Sequence, residues 1–228
     1  MIHASRLAAT LLIFCGFVCA AQAQILISYT GGAGGLSSNT MSTGTQQYKA
    51  SAFTVGSSQA SVTAVNFYTN TGSSSVDYVV SLWAATYTSS SAGQQALVGS
   101  PLATVTVNAS DQSALTLATA TFASAVTLDA NATYMLVFGY SPVTGTSTSL
   151  GVTAFGNESG VSVVTPLTGL FRSNAGGTAG NLKGTVDQTL SVAYSLQGTV
   201  APVPEPATYA VIAGLLALGA VAWRRRRG

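Results

Sequence analysis

The sequence VDYVVSLW at residues 76–83 alternates between two sets of side chains. The set expected to face a core is Val76, Tyr78, Val80 and Leu82. The opposite set is Asp77, Val79, Ser81 and Trp83. Because successive side chains of a β-strand point to opposite faces of its sheet, this period of two predicts a strand with one buried face.

Short stretches with similar patterns recur on both sides of residues 76–83, separated by turns rich in Ser, Thr, Gly and Asn. Further strands are expected at 25–29, 102–107, 114–122, 126–128, 134–140 and 190–196. We expect eight to ten strands and no amphipathic helix between residues 24 and 201. Many short strands with polar turns favour an all-β fold, an antiparallel β-sandwich with jelly-roll-like topology.

The charge balance of residues 24–201 argues against nucleic acid as a partner. Only 6% of all residues are charged. Residues 24–201 hold three basic side chains against five acidic ones, a net charge of −2. The basic residues are Lys49, Arg172 and Lys183, and the acidic ones are Asp77, Asp111, Asp129, Glu158 and Asp187. A phosphate backbone requires a basic patch, and none is present.

The only histidine and both cysteines, His3, Cys15 and Cys19, lie near the N-terminus. Residues 24–201 therefore cannot supply a Ser-His-Asp triad, a thiol nucleophile or a zinc site with nitrogen or sulfur ligands. We expect no enzymatic activity, no cofactor and no metal. The alternative left open is a glycosidase that uses two of the five carboxylates.

The first 23 residues have the composition of a secretory signal peptide. Arg6 precedes an apolar run at 7–21, and Ala21-Gln22-Ala23 forms a small-x-small cleavage site. These features predict export, with signal peptidase cutting after Ala23. An uncleaved N-terminal membrane anchor is the alternative, although this apolar run is short for a membrane span.

The last 27 residues, 202–228, combine three features. The first is Pro204-Glu205-Pro206, whose prolines predict an extended conformation. The second is the uncharged stretch at 207–223, which as a helix would be about 26 Å long, the lower limit for a membrane span. An interfacial aromatic and a cationic cluster follow: Trp223, Arg224, Arg225, Arg226 and Arg227. By the positive-inside rule, the arginines are expected to stay cytoplasmic.

This tail resembles the PEP-CTERM sorting signal, which exosortases process in Gram-negative bacteria that make exopolysaccharide. The resemblance implies export, an intermediate anchored in the inner membrane, cleavage near Pro204-Glu205-Pro206, and delivery to the cell surface or extracellular matrix. A plain single-span anchor is the alternative, with the same topology and no processing.

The middle of the chain resembles the choice-of-anchor R type of extracellular β domain. The resemblance rests on YKASAFTVG at 48–56, VNFY at 65–68, VVSLW at 79–83 and LDANATY at 128–134. Such domains are known chiefly for carrying one of several surface anchors. The resemblance implies an extracellular domain and assigns no catalytic residue.

Trp83 is the candidate for ligand contact within residues 24–201, and two polar residues, Asp129 and Asn131, have a structural interpretation. Trp83 shares the polar face of its strand, so it is expected either to stack on a sugar ring or to be covered by a neighbouring element. Asp129 and Asn131 are interpreted as turn formers rather than calcium ligands. The sequence therefore predicts a non-enzymatic surface or matrix protein, with a carbohydrate-binding or glycan-processing domain of an exopolysaccharide matrix as the alternative.

Overall fold

The strands expected from sequence form two antiparallel sheets. The computed structural model describes residues 24–29, 37–41, 48–72, 76–86, 96–110, 112–141, 148–154, 159–160, 163–167, 170–173, 182–187, 189–201 and 206–227. The predicted signal peptide at 1–23 lies outside these described residues.

Fifteen strands and one helix occur in the described residues. The strands are β1 (Gln24–Ser28), β2 (Ser37–Met41), β3 (Lys49–Val55), β4 (Ala60–Asn70), β5 (Val76–Thr86), β6 (Ala96–Ala109), β7 (Thr116–Leu128), β8 (Thr133–Ser141), β9 (Thr148–Ala154), β10 (Ser159–Gly160), β11 (Val164–Pro166), β12 (Leu170–Ser173), β13 (Leu182–Asp187), β14 (Leu190–Val192) and β15 (Tyr194–Val200). The helix is α1 (Pro206–Arg227). The expected count of eight to ten strands was wrong. Strands β10 to β13 have only two to six residues and show too little alternation to be recognised, and the single strand expected at 190–196 is divided between β14 and β15.

The first sheet has eight strands, in the order β10-β1-β15-β4-β9-β14, with β2 on β9 and β7 on β4. The second has seven, in the order β13-β12-β3-β8-β5-β6, with β11 on β3. All the pairings described are antiparallel. The all-β class and the two antiparallel sheets are confirmed, whereas a jelly-roll topology is not shown and stays a prediction.

Strand β5 confirms the face assignment made from its alternation. Val76, Tyr78, Val80 and Leu82 are each at most 1% exposed and belong to the main core. The alternate residues from Asp77 to Trp83 lie on the outer face of the second sheet. Two-residue periodicity was therefore sufficient to orient this strand.

Aromatic side chains from both sheets meet in the core between them. Phe67 of the first sheet lies edge-on to Tyr78 of the second, with ring centroids 5.7 Å apart. Phe138 of the second sheet contacts both Phe67, at 5.4 Å, and Tyr194 of the first, at 6.4 Å. Such contacts stabilise the packing beyond simple burial of apolar area.

Strand β7 corrects the prediction of two strands at 114–122 and 126–128. It runs continuously beside β4, where Thr121 pairs with Ala64 and Val126 with Val62. Between these two pairs, β7 advances five residues while β4 advances two. The three extra residues of β7 are accommodated in a bulge. The small residues Ala123, Ser124 and Ala125 in this region are all exposed, and for that reason resemble a turn in the sequence.

Strand β6 contains a similar insertion. Ala103 pairs with Leu82 and Val98 with Ala84, again five residues against two. Gly99 has φ +71° here, a left-handed conformation that favours glycine. The strand consequently extends well beyond the expected 102–107.

Candidate sorting and ligand-contact sites

The C-terminal tail leaves the sandwich directly after β15. The backbone N–H of Ala201 donates to the carbonyl oxygen of Gln59 at 2.9 Å, which fastens the end of the last strand beside the start of β4. Pro204 and Glu205 of the predicted sorting signal lie outside the described residues, as do the predicted cleavage residues Ala21 and Ala23.

Helix α1 begins at Pro206, the last residue of the Pro-Glu-Pro sequence. Proline suits the first helical position because its missing N–H would have no partner within the helix there, and its ring disfavours helical geometry in the residue before it. The sequence therefore determines where the helix starts.

Exposed apolar side chains occupy much of the described part of α1. Residues 213–227 are all exposed. The large apolar members are Leu215, Leu216, Leu218, Val221 and Trp223, between 54% and 70% exposed. More than half of each of these side chains is exposed, which is unusual for the large apolar residues of a helix in water.

The last turn of α1 is strongly basic. Arg224, Arg225, Arg226 and Arg227 occupy it, and the Cζ atom of Arg227 lies 4.0 Å from the centroid of the Trp223 ring. This one-turn spacing places the guanidinium over the indole in a cation–π contact. The cations also lie at the negative end of the helix dipole, where they are stabilising.

Within the part of the chain that the structure describes, no helix has both the length and the apolar character needed to cross a membrane. The helix predicted at 207–223 is present, and its membrane-spanning role is not confirmed.

Trp83 lies on the outer face of the second sheet and is partly buried. Its Nε1–H donates to Ser81 Oγ at 2.9 Å, and its ring packs against a small cluster on that face. The buried members of the cluster are Ala50, Ala52, Ala85, Met135 and Val137. Tyr48, Leu97 and Leu167 pack on the same cluster.

Tyr48 covers the one glycine of strand β8. A Cβ atom built on Gly139 would lie 2.6 Å from Tyr48 Cε1, so the ring rests directly on the backbone. A glycine inside an otherwise bulky strand often marks such close approach. Among the side chains that the structure describes, two partly buried aromatic rings lie on the outer face of the second sheet, and the sequence interpretation identified only Trp83.

Asp129 and Asn131 form the connection between β7 and β8, as interpreted from the sequence. Asn131 has φ 59°, and its N–H donates to the carbonyl oxygen of Gly56 at 2.8 Å. The Asp129 N–H donates to the hydroxyl of Tyr134 at 2.7 Å, and Gln59 Nε2 donates to Asp129 Oδ1 at 3.2 Å. Burial raises the pKa of Tyr134, and the Asp129 N–H partly opposes this rise.

The carboxylates of Asp77 and Asp129 lie at opposite ends of the second sheet. Asp77 pairs with Ser141, whereas Ala84 pairs with Tyr134, the residue whose hydroxyl accepts from Asp129. Seven residues of strand separate these pairs, about 23 Å at 3.3 Å per residue. The carboxyl pairs of glycosidases are about 5–9.5 Å apart, so these two are not such a pair.

Asp111 and Glu158 lie outside the described residues, and the side chain of Asp187 is not described. Among the residues that are described, no group of three or more His, Cys, Asp or Glu side chains is close enough to hold a metal ion.

Buried hydroxyl groups join the two sheets. The Oγ atoms of Ser51 on β3 and Ser191 on β14 are 3.1 Å apart, and the Val192 N–H donates to Ser51 Oγ at 3.3 Å. Ser51 and Ser191 are each 2% exposed. Their contacts are typical of structural serines rather than of nucleophiles facing a cleft.

Comparison with known proteins finds one family match, and it lies in the tail. Residues 202–227 match the PEP-CTERM protein-sorting motif. No curated protein matches this chain. The resemblance to the choice-of-anchor R domain is not confirmed.

Two solved structures, described as infectious bursal disease virus Gt strain and Gx strain, are similar to this chain at 12% and 11% identity, with TM-scores of 0.30 and 0.29. The alignments cover 86% and 82% of this chain but only 47% and 44% of the viral chains, so this chain spans less than half of their length. This similarity carries no inference here. The match at 202–227 supports an exported protein that is membrane-anchored before an exosortase processes it.

Proposed function

We propose that this chain is a non-enzymatic structural or adhesive protein of the outer surface or extracellular matrix of a Gram-negative bacterium. Residues 1–23 direct export and are removed after Ala23. Residues 24–201 form the displayed β-sandwich, with jelly-roll-like topology. Residues 202–228 anchor the chain in the inner membrane until an exosortase cuts near Pro204-Glu205-Pro206.

The match of residues 202–227 to the PEP-CTERM protein-sorting motif carries this proposal. Three features of the tail support the anchoring step. A proline begins the helix, exposed apolar side chains cover it, and four arginines end it. A bilayer would bury the apolar side chains, and the arginines would resist crossing it.

The low charge and the hydroxyl-rich faces of the sandwich support a structural role. Thr119 Oγ1 donates to Asn66 Oδ1 at 2.8 Å between neighbouring strands, and Asn108 Nδ2 donates to Asp77 Oδ1 at 2.9 Å. These exposed polar groups bond to one another across strand pairs. Such pairs stabilise a sheet.

Glycan binding within the same matrix is the second candidate. Trp83 favours it, because part of this ring remains exposed on the outer face of a sheet, beside the cluster that Tyr48 also covers. A partly exposed indole can stack on a sugar ring. The proposed test is retention of the purified protein on immobilised exopolysaccharide, compared with its Trp83→Ala and Tyr68→Ala variants. Loss of retention only in Trp83→Ala would favour glycan binding, and equal retention would favour the purely structural role.

Mass spectrometry of the membrane and secreted fractions tests the main proposal, since it identifies both ends of each species. The membrane species is expected to begin at Gln24 and to retain Arg227. The released species is expected to begin at Gln24 and to end near Pro204-Glu205-Pro206. A released species that begins at Met1 or keeps the arginines would overturn the proposal.

A further inference from the structure

Three places in the chain match Asn-x-Ser/Thr, the acceptor sequence for glycosylation of asparagine side chains in exported proteins. They are Asn108-Ala109-Ser110, Asn131-Ala132-Thr133 and Asn157-Glu158-Ser159. In a chain so rich in Ser and Thr such matches arise readily by chance, so the surroundings of each asparagine decide between them. Asn157 lies outside the described residues, and the other two can be compared.

Asn131 presents its side chain at the surface. It is exposed in the turn between β7 and β8, and within the described part of the chain no hydrogen bond engages its side chain. The turn is held by the backbone instead, since the Asn131 N–H donates to the carbonyl oxygen of Gly56 at 2.8 Å. The Thr133 hydroxyl also has no hydrogen-bond partner among the described residues. The amide and the hydroxyl of this acceptor sequence are therefore both available to an enzyme.

Asn108 is also exposed, but its side chain is engaged. Its Nδ2 donates to Asp77 Oδ1 at 2.9 Å, and its backbone pairs with Asp77 within the second sheet. A sugar on this nitrogen would crowd the Asp77 carboxylate. Asn131 differs again because an exposed carboxylate, Asp129, lies two residues before it. In a sandwich with so few charges, this carboxylate gives an enzyme a group by which to recognise the turn.

The turn at Asn131 lies where the tail leaves the sandwich. Gln59 joins the two, because its Nε2 donates to Asp129 Oδ1 at 3.2 Å and its carbonyl oxygen accepts from the Ala201 N–H at 2.9 Å. From Ala201 to Pro206, where α1 begins, the chain can span at most about 18 Å. A chain anchored by its tail therefore holds Asn131 close to the membrane surface.

Asn108 lies at the far end of the sandwich from this anchor. It pairs with Asp77, which in turn pairs with Ser141 at the end of β8, whereas the turn at Asn131 precedes the start of β8. Both the free side chain and the position near the membrane therefore favour Asn131.

We propose that Asn131 is N-glycosylated while the tail anchors the chain, by transfer of a glycan that a membrane lipid carries through a pyrophosphate group. The Asn131 Nδ2 atom forms a bond to the anomeric carbon of the first sugar and loses one proton. The bond between that carbon and the pyrophosphate oxygen breaks, and the pyrophosphate remains on the lipid. This inference rests on the export and anchoring proposed above, and it adds a modification to them.

Mass spectrometry of the released species from the native host tests the modification. We expect a mass that exceeds that of the sequence by one glycan, and fragmentation should locate the glycan on Asn131. Thr133→Val keeps the asparagine and removes only the hydroxyl of the acceptor sequence, so it should abolish the added mass. Thr133→Ser keeps a hydroxyl and should retain it.

Matched variants separate recognition from folding. Asn131→Gly suits the left-handed backbone of the turn, so this variant should fold and be released without the added mass. Asn108→Gln should retain the added mass in full. Asp129→Asn should lower the modified fraction severalfold, because the carboxylate is lost and the turn is kept.

The outcomes distinguish this inference from the proposed function. A released species that begins at Gln24 and has no glycan on Asn131 would overturn the modification and leave the proposed export intact. Added mass that survives Thr133→Val, or that lies on Asn108 alone, would overturn the modification as well. A released species that begins at Met1 would overturn the proposed export, and this inference with it.

Discussion

The hydroxyl group of Tyr78, on β5 of the second sheet, hydrogen-bonds to the hydroxyl of Thr148, on β9 of the first sheet. It also donates to the carbonyl oxygen of Ser149 at 3.0 Å. Tyr78 is fully buried and Thr148 is 1% exposed, so this polar link crosses the core where water cannot replace it. The two sheets are therefore joined by specific hydrogen bonds as well as by apolar packing.

Tyr78→Phe should destabilise the sandwich, because it removes the hydroxyl and leaves the Ser149 carbonyl with one fewer partner. We expect the free energy of unfolding to fall by about 1–2 kcal/mol. Urea unfolding followed by tryptophan fluorescence would measure it. Tyr68→Phe, on the outer face of the first sheet, is the matched control and should change stability little. Equal stability of the two variants would mean that the Tyr78 link is energetically neutral.

Alkaline pH should destabilise the fold through its buried tyrosines. Burial raises the pKa of Tyr78, Tyr134 and Tyr140 above the ordinary value of 10.0. Between the unfolded and folded pKa values the folded state binds more protons, so stability is complete below about pH 10 and falls as the pH rises further. Melting temperatures measured from neutral pH to above pH 10 should show this fall, and Tyr78→Phe should make it shallower. A melting temperature that rises across this window would contradict the assignment.

Gly198→Ala should disrupt the pairing of β15 with β4. A Cβ atom at Gly198 would lie 1.9 Å from the carbonyl oxygen of Ser61, a backbone atom that cannot rotate away. We expect a loss of about 3 kcal/mol in the free energy of unfolding. Gly214→Ala is the control, because a Cβ there meets nothing within 4 Å. A Gly198→Ala variant that melts like the unmodified protein would show that this strand end adjusts freely.

Local periodicity predicted strands such as β5 and β8, and the pairing between distant residues that assembles the sheets could not be read from it. The alternation of residues 76–83 placed Tyr78 inside and Trp83 outside, as the structure has them. The bulge in β7 between Thr121 and Val126 was not predictable, because small residues such as those at 123–125 occur in bulges and in turns alike. The pairing of Tyr194 with Phe67 joins residues far apart in the chain and leaves no local signal.

For the candidate sites too, features formed by contiguous residues were predictable and features formed by pairing between distant strands were not. The sorting tail was evident from sequence because its proline pair, apolar stretch and arginine cluster are contiguous. The surroundings of Trp83 were not evident from sequence. Met135 and Tyr48 come close to it only because β5 pairs with β8 and β8 pairs with β3. Gly139 within a strand of bulky residues was the available signal for the contact with Tyr48.

The two parts of the tail can be separated by mutation. On the proposed topology, replacing Arg224, Arg225, Arg226 and Arg227 with neutral residues should weaken retention of the C-terminal end in the membrane, because an arginine resists crossing a bilayer. The helix itself should remain. Fractionation of cells expressing this variant should show less full-length chain held in the membrane, and unchanged retention would remove the arginines from the account.

The most direct test of the sorting account follows the size and location of the chain after Pro204 and Pro206 are both replaced with alanine. Without these prolines, the segment before α1 can join the helix, because the restriction that proline places on helical geometry is gone. Pro202→Ala, which leaves Pro-Glu-Pro intact, is the matched control. In a pulse-chase experiment on cells with an exosortase, the double variant should accumulate as the full-length membrane species, while Pro202→Ala is shortened and released like the unmodified protein. Processing and release of the double variant at the unmodified rate would contradict the account.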